Sequence, residues 1–535
     1  MSTTPTLHAE ASGNDPGRLE DASRIRVFAI LTVIVLFTEV APVQYTIVAA
    51  ALQKISPSFP GVGANITWSM IVYGLVGAAA SPLIGKMSDI WGKKRMFLAC
   101  GLFFIVGCGV CALTSSWTLF LLGRALQAIA VATAVIAYGL IRDLLPRRYV
   151  PLGMGVTATG LGFSALLGPV LGGWLVDDYS WRAIFWVLLG YTVVMMPLVW
   201  FVVPESKLRT SGRLDIAGAL LLAAGIGLVL LYIDKGQDWG WARPRAWAWL
   251  LAGLVLIAVF GVVERRVSHP VMDVRLLVNP KVSLTLFVAL FAAFIIGVQS
   301  YAIPYMTQSP ESHTAAQMVA GGAIQKAQAA GVKLPPQAVD VALKPGYSYG
   351  EGWSLTGYAT HIAIWLALLS MVTGALAGAW ARKVGPRRPM LLALTVMAAT
   401  GVGFAVCPFG WVTLLLLALP FGAAIGGYYA SAPNLIVEAV PQEQQGVSAG
   451  MLAVMQTIGV AVGVAAATAF NHAHPVRAVV AVAGRPNPAV DIPGLYSDRG
   501  YELGFWFVAG TTVVALIAAL VMRHGRAPAT GGTAH

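Results

Sequence analysis

Apolar stretches of about twenty residues, long enough to cross a hydrocarbon core as a helix, recur along almost the whole chain, and no other feature constrains the fold as strongly. They fall at 27–52, 66–84, 96–113, 118–141, 151–176, 183–203, 216–233, 246–263, 282–306, 355–381, 389–406, 411–437, 447–470 and 503–522, which makes fourteen predicted spans. Only 11% of the residues carry a formal charge, too few to clothe a water-soluble fold of 535 residues. A disordered chain needs the opposite balance. An all-α, polytopic membrane protein is what remains.

The basic residues set the predicted orientation. With the N-terminus inside, Lys and Arg favour the inner segments by roughly two to one, the bias that accompanies the cytoplasmic side. Both termini are therefore expected in the cytoplasm. Residues 1–23 are polar, with no apolar core and no small-residue cleavage site, and read as a retained, disordered tail. Lys and Arg lie in short clusters between apolar runs without interleaved aromatics, so the net charge of +12 points to a membrane surface and not to nucleic acid. Two long outer connections, 309–352 and 471–502, interrupt the short-loop pattern. The Ala- and Gln-rich stretch of the first has some helical character, but its paired glycines argue against a stable helix. A solvated loop is expected there.

The chain contains an internal repeat. GKMSDIWGKKR (Gly85 to Arg95) follows the second span and GAWARKVGPRR (Gly378 to Arg388) follows the tenth. Each has a glycine, a charged residue four places on (Asp89, Arg382), a second glycine at seven (Gly92, Gly385) and basic residues at nine and ten (Lys94 and Arg95, Arg387 and Arg388). Two copies of one pattern at equivalent inner loops imply two homologous halves.

These residues resemble a known family. GKMSDIWGKKR is similar to the signature loop of the major facilitator superfamily, with Ile90 where a basic residue is usual. Arg124 and Gln127 in FLLGRALQAIA match its fourth-span pattern, with Ala128 replacing a glycine. GLGFSALLGPVLGG (160–173), with its Gly168, Pro169, Gly172, Gly173 core, resembles the fifth-span motif associated with antiporters. YTIVAAALQKI, LDIAGALLL, DKGQDWGW and HPVMDVRLL look like the fourteen-helix drug:proton antiporter branch. The resemblance runs from residue 25 to 522, leaving 309–352 uncovered. It implies a six-helix bundle at 25–204, a two-helix linker at 205–281, a second bundle at 282–523, and cytoplasmic tails at 1–24 and 524–535. It also implies a proton-driven exporter of lipophilic small molecules in the cell's inner (plasma) membrane, working as a monomer without a cofactor. Fold alone does not set direction, so an uptake symporter or a lipid or natural-product transporter is the alternative. No clustered catalytic constellation suggests an enzyme or sensor.

Physical roles follow for single residues. Glycine at Gly85 and Gly92 permits close helix approach and positive φ. Asp89 is placed to cap a helix N-terminus, and Lys93, Lys94 and Arg95 to pair with Asp143, forming a latch that holds the halves together on the inner side. Gly168, Gly172 and Gly173 offer a packing groove, and Pro169 removes a helical hydrogen bond, which suits a hinge or an outer seal.

Glu39 is the one acid placed deep in a span, which makes it a functional candidate by default. Pro42 leaves the Thr38 carbonyl without its helical donor beside it. A carboxyl group changes its preferred protonation state between wet and dry surroundings, so Glu39 is expected to carry the proton. Arg124, the one deep base, is either its coupling partner or a structural mate. Related antiporters carry an aspartate where this chain has Gln44, so that role is displaced. With one deep acid and one deep base, neutral or monocationic substrates are expected. Gln44, Tyr73, Gln127, Gln299, Tyr301, Tyr305 and His361 are the cavity candidates, with Tyr428, Tyr429 and Asn434 as further polar neighbours; Tyr301 and Tyr305, four apart around Pro304, suggest an aromatic wall, and His361, about a turn inside a span end, equally suits an interfacial place. Cys108 and Cys111 form a CxxC inside an apolar helix and read as filling. A Walker loop and an HExxH are both missing from the sequence, so neither direct ATP drive nor a zinc or other metal site is expected.

Overall fold

The computed structural model describes residues 19–528 except 21, 147–148, 210–214, 268–273, 330, 332, 334, 441–444 and 483–484. Most of the expected N-terminal tail (1–18), residues 529–535 and the start of HPVMDVRLL (269–273) lie outside the described residues.

The helices run in chain order as α1 (Arg24–Thr38), α2 (Val40–Ile55), α3 (Trp68–Trp91), α4 (Lys93–Leu113), α5 (Trp117–Ala128), α6 (Thr133–Leu144), α7 (Val150–Asp178) and α8 (Trp181–Val202). Then follow α9 (Ile216–Trp239), α10 (Pro244–Arg266), α11 (Pro280–Gln308), α12 (Ser312–Ala329), α13 (Leu355–Tyr358), α14 (Ile364–Val384), α15 (Arg387–Val406), α16 (Trp411–Val437), α17 (Gln445–Ala473) and α18 (Asp498–Val521). Thirteen helical segments among the described residues are long and apolar enough to cross a bilayer. The 29-residue α7 occupies the place of the fifth expected span. Fourteen spans result, because three are broken helices. The first is α1 plus α2, parted at Glu39; the fourth is α5 and α6 joined by a 3-10 turn, Ile129–Ala132; the tenth is α13 and α14 joined by a π turn, Ala359–Ala363. The break at Glu39 has a local cause: Pro42, three residues on, has no N–H for the Thr38 carbonyl.

In the first half α4 packs on α5 and α8, and α3 on α5; in the second α14 packs on α16, α11 on α17 and α18, and α15 on α16 and α18. The halves meet where α2 touches α11, α3 touches α17, and α7 touches α13 and α14. The linker hairpin α9–α10 is set against that seam, α9 lying on both α3 and α17. Both repeat glycines take positive φ, Gly92 at 120° and Gly385 at 85°, and each ends the preceding helix. The first and last described segments lie at this end of the bundle, the Leu19 amide donating to the Leu144 carbonyl and the Arg387 amide to the Gly525 carbonyl. We call it the terminal end, and the opposite one the loop end.

The loop end overturns the expected solvated loop. The segment 309–352 forms α12 and strand β1 (Val339–Leu343), while the second long connection forms β2 (Pro475–Val482), β3 (Arg485–Pro486) and β4 (Val490–Tyr496). β1 pairs antiparallel with β2 from Val339 opposite Val482 to Leu343 opposite Ala478, and β4 pairs with the other edge of β2. α12 forms despite Gly321 and Gly322 because its remaining residues are mostly good helix formers. It rests on β1 and buries Ala315. The two long connections thus make one small sheet over the bundle.

Candidate functional site

Glu39 is nearly fully buried, and the hydroxyl of Ser164 donates to its Oε2. Ser164 belongs to the glycine-rich stretch 160–173, so the deep acid is tied directly to that motif. The same surface holds α2 and α7 close: Thr46 Oγ1 donates to the Ser164 carbonyl at 3.1 Å, and a Cβ on Gly168 would overlap that hydroxyl. One turn on, a Cβ on Gly172 would meet Ile47 at 3.0 Å, and one on Gly173 would meet the Thr356 backbone of the second half at 2.8 Å. Pro169 lies inside α7 and is buried. The motif is therefore a seal, packed on α2 within its own half and on α13 across the seam. Glycine is required because backbones approach within contact distance.

Arg124 is not the partner of Glu39, and the two form no ion pair. Gln44 lies five residues beyond Glu39, about 140° further around the helix by the 100° step, and that face is where Arg124 sits. Arg124 Nε donates to the Ser69 carbonyl at 3.1 Å and Nη1 to Gln127 Oε1 at 2.8 Å. Gln44 Nε2 donates to the same Gln127 oxygen at 2.6 Å, and Gln127 Nε2 to Cys108 Sγ at 3.2 Å. The guanidinium lies 4.7 Å from the Tyr73 ring centroid, and Tyr73 donates to the Ala41 carbonyl. Arg124, Gln44 and Gln127 are fully buried. Gln44, Tyr73, Gln127 and Arg124 thus form one centre, and Cys108 is a member of it as well as filling. With Glu39 elsewhere, the charge balance behind the expected neutral or monocationic substrate does not hold at Arg124.

The remaining cavity candidates separate from this centre. Gln299 is buried on α11. Tyr301 and Tyr305 meet at a tilt with ring centroids 5.4 Å apart, but Asn471 donates to the Tyr301 hydroxyl and Tyr305 donates to the Gly494 carbonyl of β4. They plug the loop end beneath the sheet and do not wall an open cavity. His361 is exposed on the π turn, between Trp353 and Trp411 at 4.6 and 5.9 Å. It belongs to an interfacial aromatic patch and not to a cavity wall, the second of the two places its position suggested.

The hydrogen bonds described between the halves gather at the loop end. Gln53 Nε2 donates to the Tyr305 carbonyl and to Ser309, Gln308 Nε2 to the Ala50 carbonyl, and Thr468 to Thr67. Asp177, at the end of α7, accepts from the amides of Leu355 (3.2 Å) and Thr356 (2.8 Å) at the start of α13. Partial burial pushes the Asp177 carboxyl up, but the bonds from Thr356, Ser354 and Leu355 outweigh it and hold it below its usual range. The loop end is closed.

Among the described contacts, the ion pairs of the signature loop lie within the first half and not across the seam. Lys93 alone of the three basic residues pairs with Asp143 (2.9 Å), and it also pairs with Asp89 at 2.7 Å, so Asp89 caps no helix. All of this lies within the first half. The N-terminus of α4 is instead held by Glu205, whose carboxylate accepts from the Lys94 and Arg95 amides, while Lys94 Nζ reaches the Trp200 carbonyl at the end of α8. Arg387, the repeat equivalent of Lys94, donates to the Ala519 and Leu520 carbonyls at the end of α18. The cluster fastens the sixth helix of each half to its third, which is why basic residues recur there. Gly92 is needed for its φ and because a Cβ would come 2.8 Å from Glu205 Oε2; Gly85 is needed against Val135 at 3.0 Å. Glu205 and Ser164 are the residues missed by sequence reasoning. Ser164 stood inside a recognised motif, whereas Glu205 had no signal beyond its position after a span.

Two repeated bundles around a seam closed at one end, with a buried acid on a broken helix, make a polytopic membrane protein. The Major Facilitator Superfamily profile matches residues 28–324 and 285–534. The chain belongs to that superfamily and is a multi-pass membrane protein. It is 32% identical over 252 residues to the uncharacterized MFS-type transporter YvkA of Bacillus subtilis, covering 46% of this chain and 55% of the relative. It is 31% identical over 292 residues to a protein named multidrug resistance protein B homolog of Mycobacterium tuberculosis, 52% of this chain and 53% of the relative. The chain spans about half the length of most of the curated relatives it matches. The structure superposes on the xylose transporter XylE of E. coli in a partially occluded inward-open conformation, with TM-score 0.57 and 13% identity, covering 93% of this chain and 98% of the other. That likeness concerns the fold.

Proposed function

We propose that this protein is a proton-coupled exporter of lipophilic small molecules, working by alternating access in the plasma membrane with its terminal end in the cytoplasm. The observation that carries this is the bond from Ser164 to Glu39, which joins the deep acid to the helix forming the loop-end seal. An ionised Glu39 accepts from Ser164. A protonated Glu39 has its own proton to place, so protonation rewrites the contact between α1–α2 and α7. The Gly168–Gly173 face and Asp177 lie on that same helix, so the change at Glu39 acts on the seal across the seam. The proton gradient supplies the energy, and lipid, substrate and protons are the only partners required of a monomer. The relative named for multidrug resistance supports export of lipophilic compounds.

Reconstituted Glu39→Gln protein tests this reading. It should fold normally and lose gradient-driven export from proteoliposomes; transport retained in full under the same pH gradient would contradict the assignment.

A further inference from the structure

Resting on the transporter reading above, we infer that Arg124 receives an acidic group on the transported molecule, so the cargo is an amphipathic organic anion with a ring or other apolar body. A guanidinium keeps its charge in any protein surrounding, and Arg124 is wholly buried. Everything it touches is neutral: the Ser69 carbonyl, the Gln127 amide and the Tyr73 ring. The acids on the helices around it are committed elsewhere. Glu39 is bonded to Ser164 on another face, and Asp89 and Asp143 are paired with Lys93 at the terminal end. A buried cation without a counter-charge is a costly arrangement.

The centre also has open valences. Arg124 Nη2 is buried without a hydrogen-bond partner, although Nε and Nη1 are both used. A carboxylate oxygen at Nη2 makes the strong, charge-assisted bond that no side chain supplies. An aromatic lining lies beside it: the Tyr73 ring faces the guanidinium at 4.7 Å, and the Tyr45 ring is 6.0 Å from that of Tyr73. Tyr45 is only partly buried. An anion arriving from the seam passes Tyr45 to reach Nη2 and leaves its apolar body against the Tyr45 and Tyr73 rings. A neutral cargo leaves the charge uncompensated, and a cation adds repulsion.

Binding to purified full-length protein tests this, measured by ligand-induced thermal stabilisation with several aryl scaffolds, each carrying a carboxylate, its methyl ester or a primary amine. The carboxylate should bind at least tenfold more tightly than the ester, and the amine most weakly. Gln44→Asp sets an internal carboxylate beside the guanidinium, so it should erase the preference for the acid while the unliganded protein stays as stable as wild type or more so. A wild-type ranking with ester or amine first, no binding preference on any scaffold, or a preference for the acid that survives in stable Gln44→Asp protein would each overturn the assignment. The same compounds in proteoliposomes separate the two readings. Gradient-driven export that favours esters or amines refutes only the anion site, whereas acid binding without gradient-driven export of any compound refutes only the exporter.

Discussion

Removing the charge of Asp177 should loosen the closed loop end by a calculable amount. Its carboxylate accepts the Leu355 and Thr356 amides at 3.2 and 2.8 Å, bridging the last turn of α7 to the start of α13. A buried charge-assisted bond contributes about 1.5–3 kcal/mol, but Asp177 is exposed, and solvent-screened charges at helix N-termini contribute about 0.3–1 kcal/mol. Asp177→Asn keeps one acceptor and loses the charge, so about 1 kcal/mol of preference for the closed state disappears. The open-to-closed ratio should rise about fivefold. Leu113 and Val412 are exposed at the loop end of opposite halves. Spin labels at these positions, in a Cys407→Ser background, read the change as a longer distance population. Cys100, Cys108 and Cys111 are buried and need no replacement. The sign with pH is fixed by the lowered carboxyl. Asp177 favours closure fully above the ordinary carboxylate range, and the difference between wild type and variant vanishes as pH falls through its depressed pKa. Identical distance distributions for wild type and Asp177→Asn at neutral pH would refute the reasoning.

Two further predictions concern stability, read as thermal unfolding in detergent. Lys93→Met removes the cation buried between Asp89 and Asp143 and should cost about 3 kcal/mol; adding Asp143→Asn should recover most of the loss, and an additive double variant would contradict the pairing. Gly385→Ala forces positive φ on alanine and drives its Cβ into the Gly525 carbonyl, so it should destabilise by more than about 1 kcal/mol. Gly378→Ala, with nothing within 4 Å of the added methyl, should be neutral or stabilise by up to about 1 kcal/mol.

What was legible beforehand depended on how local its cause is. The spans follow from apolar runs, and the repeat follows from Gly92 and Gly385, whose positive φ is a property of single residues. The opposite faces of Glu39 and Gln44 follow from helical periodicity alone. The pairing of Lys93 with Asp143 was anticipated, but its meaning was not, because charge spacing cannot say whether a contact lies within one half or between two. Ser164 lies 125 residues from Glu39, and a serine among glycines and leucines carries no mark of its partner. The sheet was hidden for the same reason. β1 pairs with β2 across more than 130 residues, and strand propensity becomes decisive only when the partner edge is present.

The central claim is that protons and cargo move in opposite directions through Glu39. It is tested most directly by recording internal pH in proteoliposomes, without an imposed gradient, when an outward substrate gradient is applied through protein oriented with its terminal end inside. Substrate leaving should draw protons in, acidifying the lumen with wild type and leaving it unchanged with Glu39→Gln. Lumenal alkalinisation, protons leaving with the substrate, would contradict the account and identify a symporter.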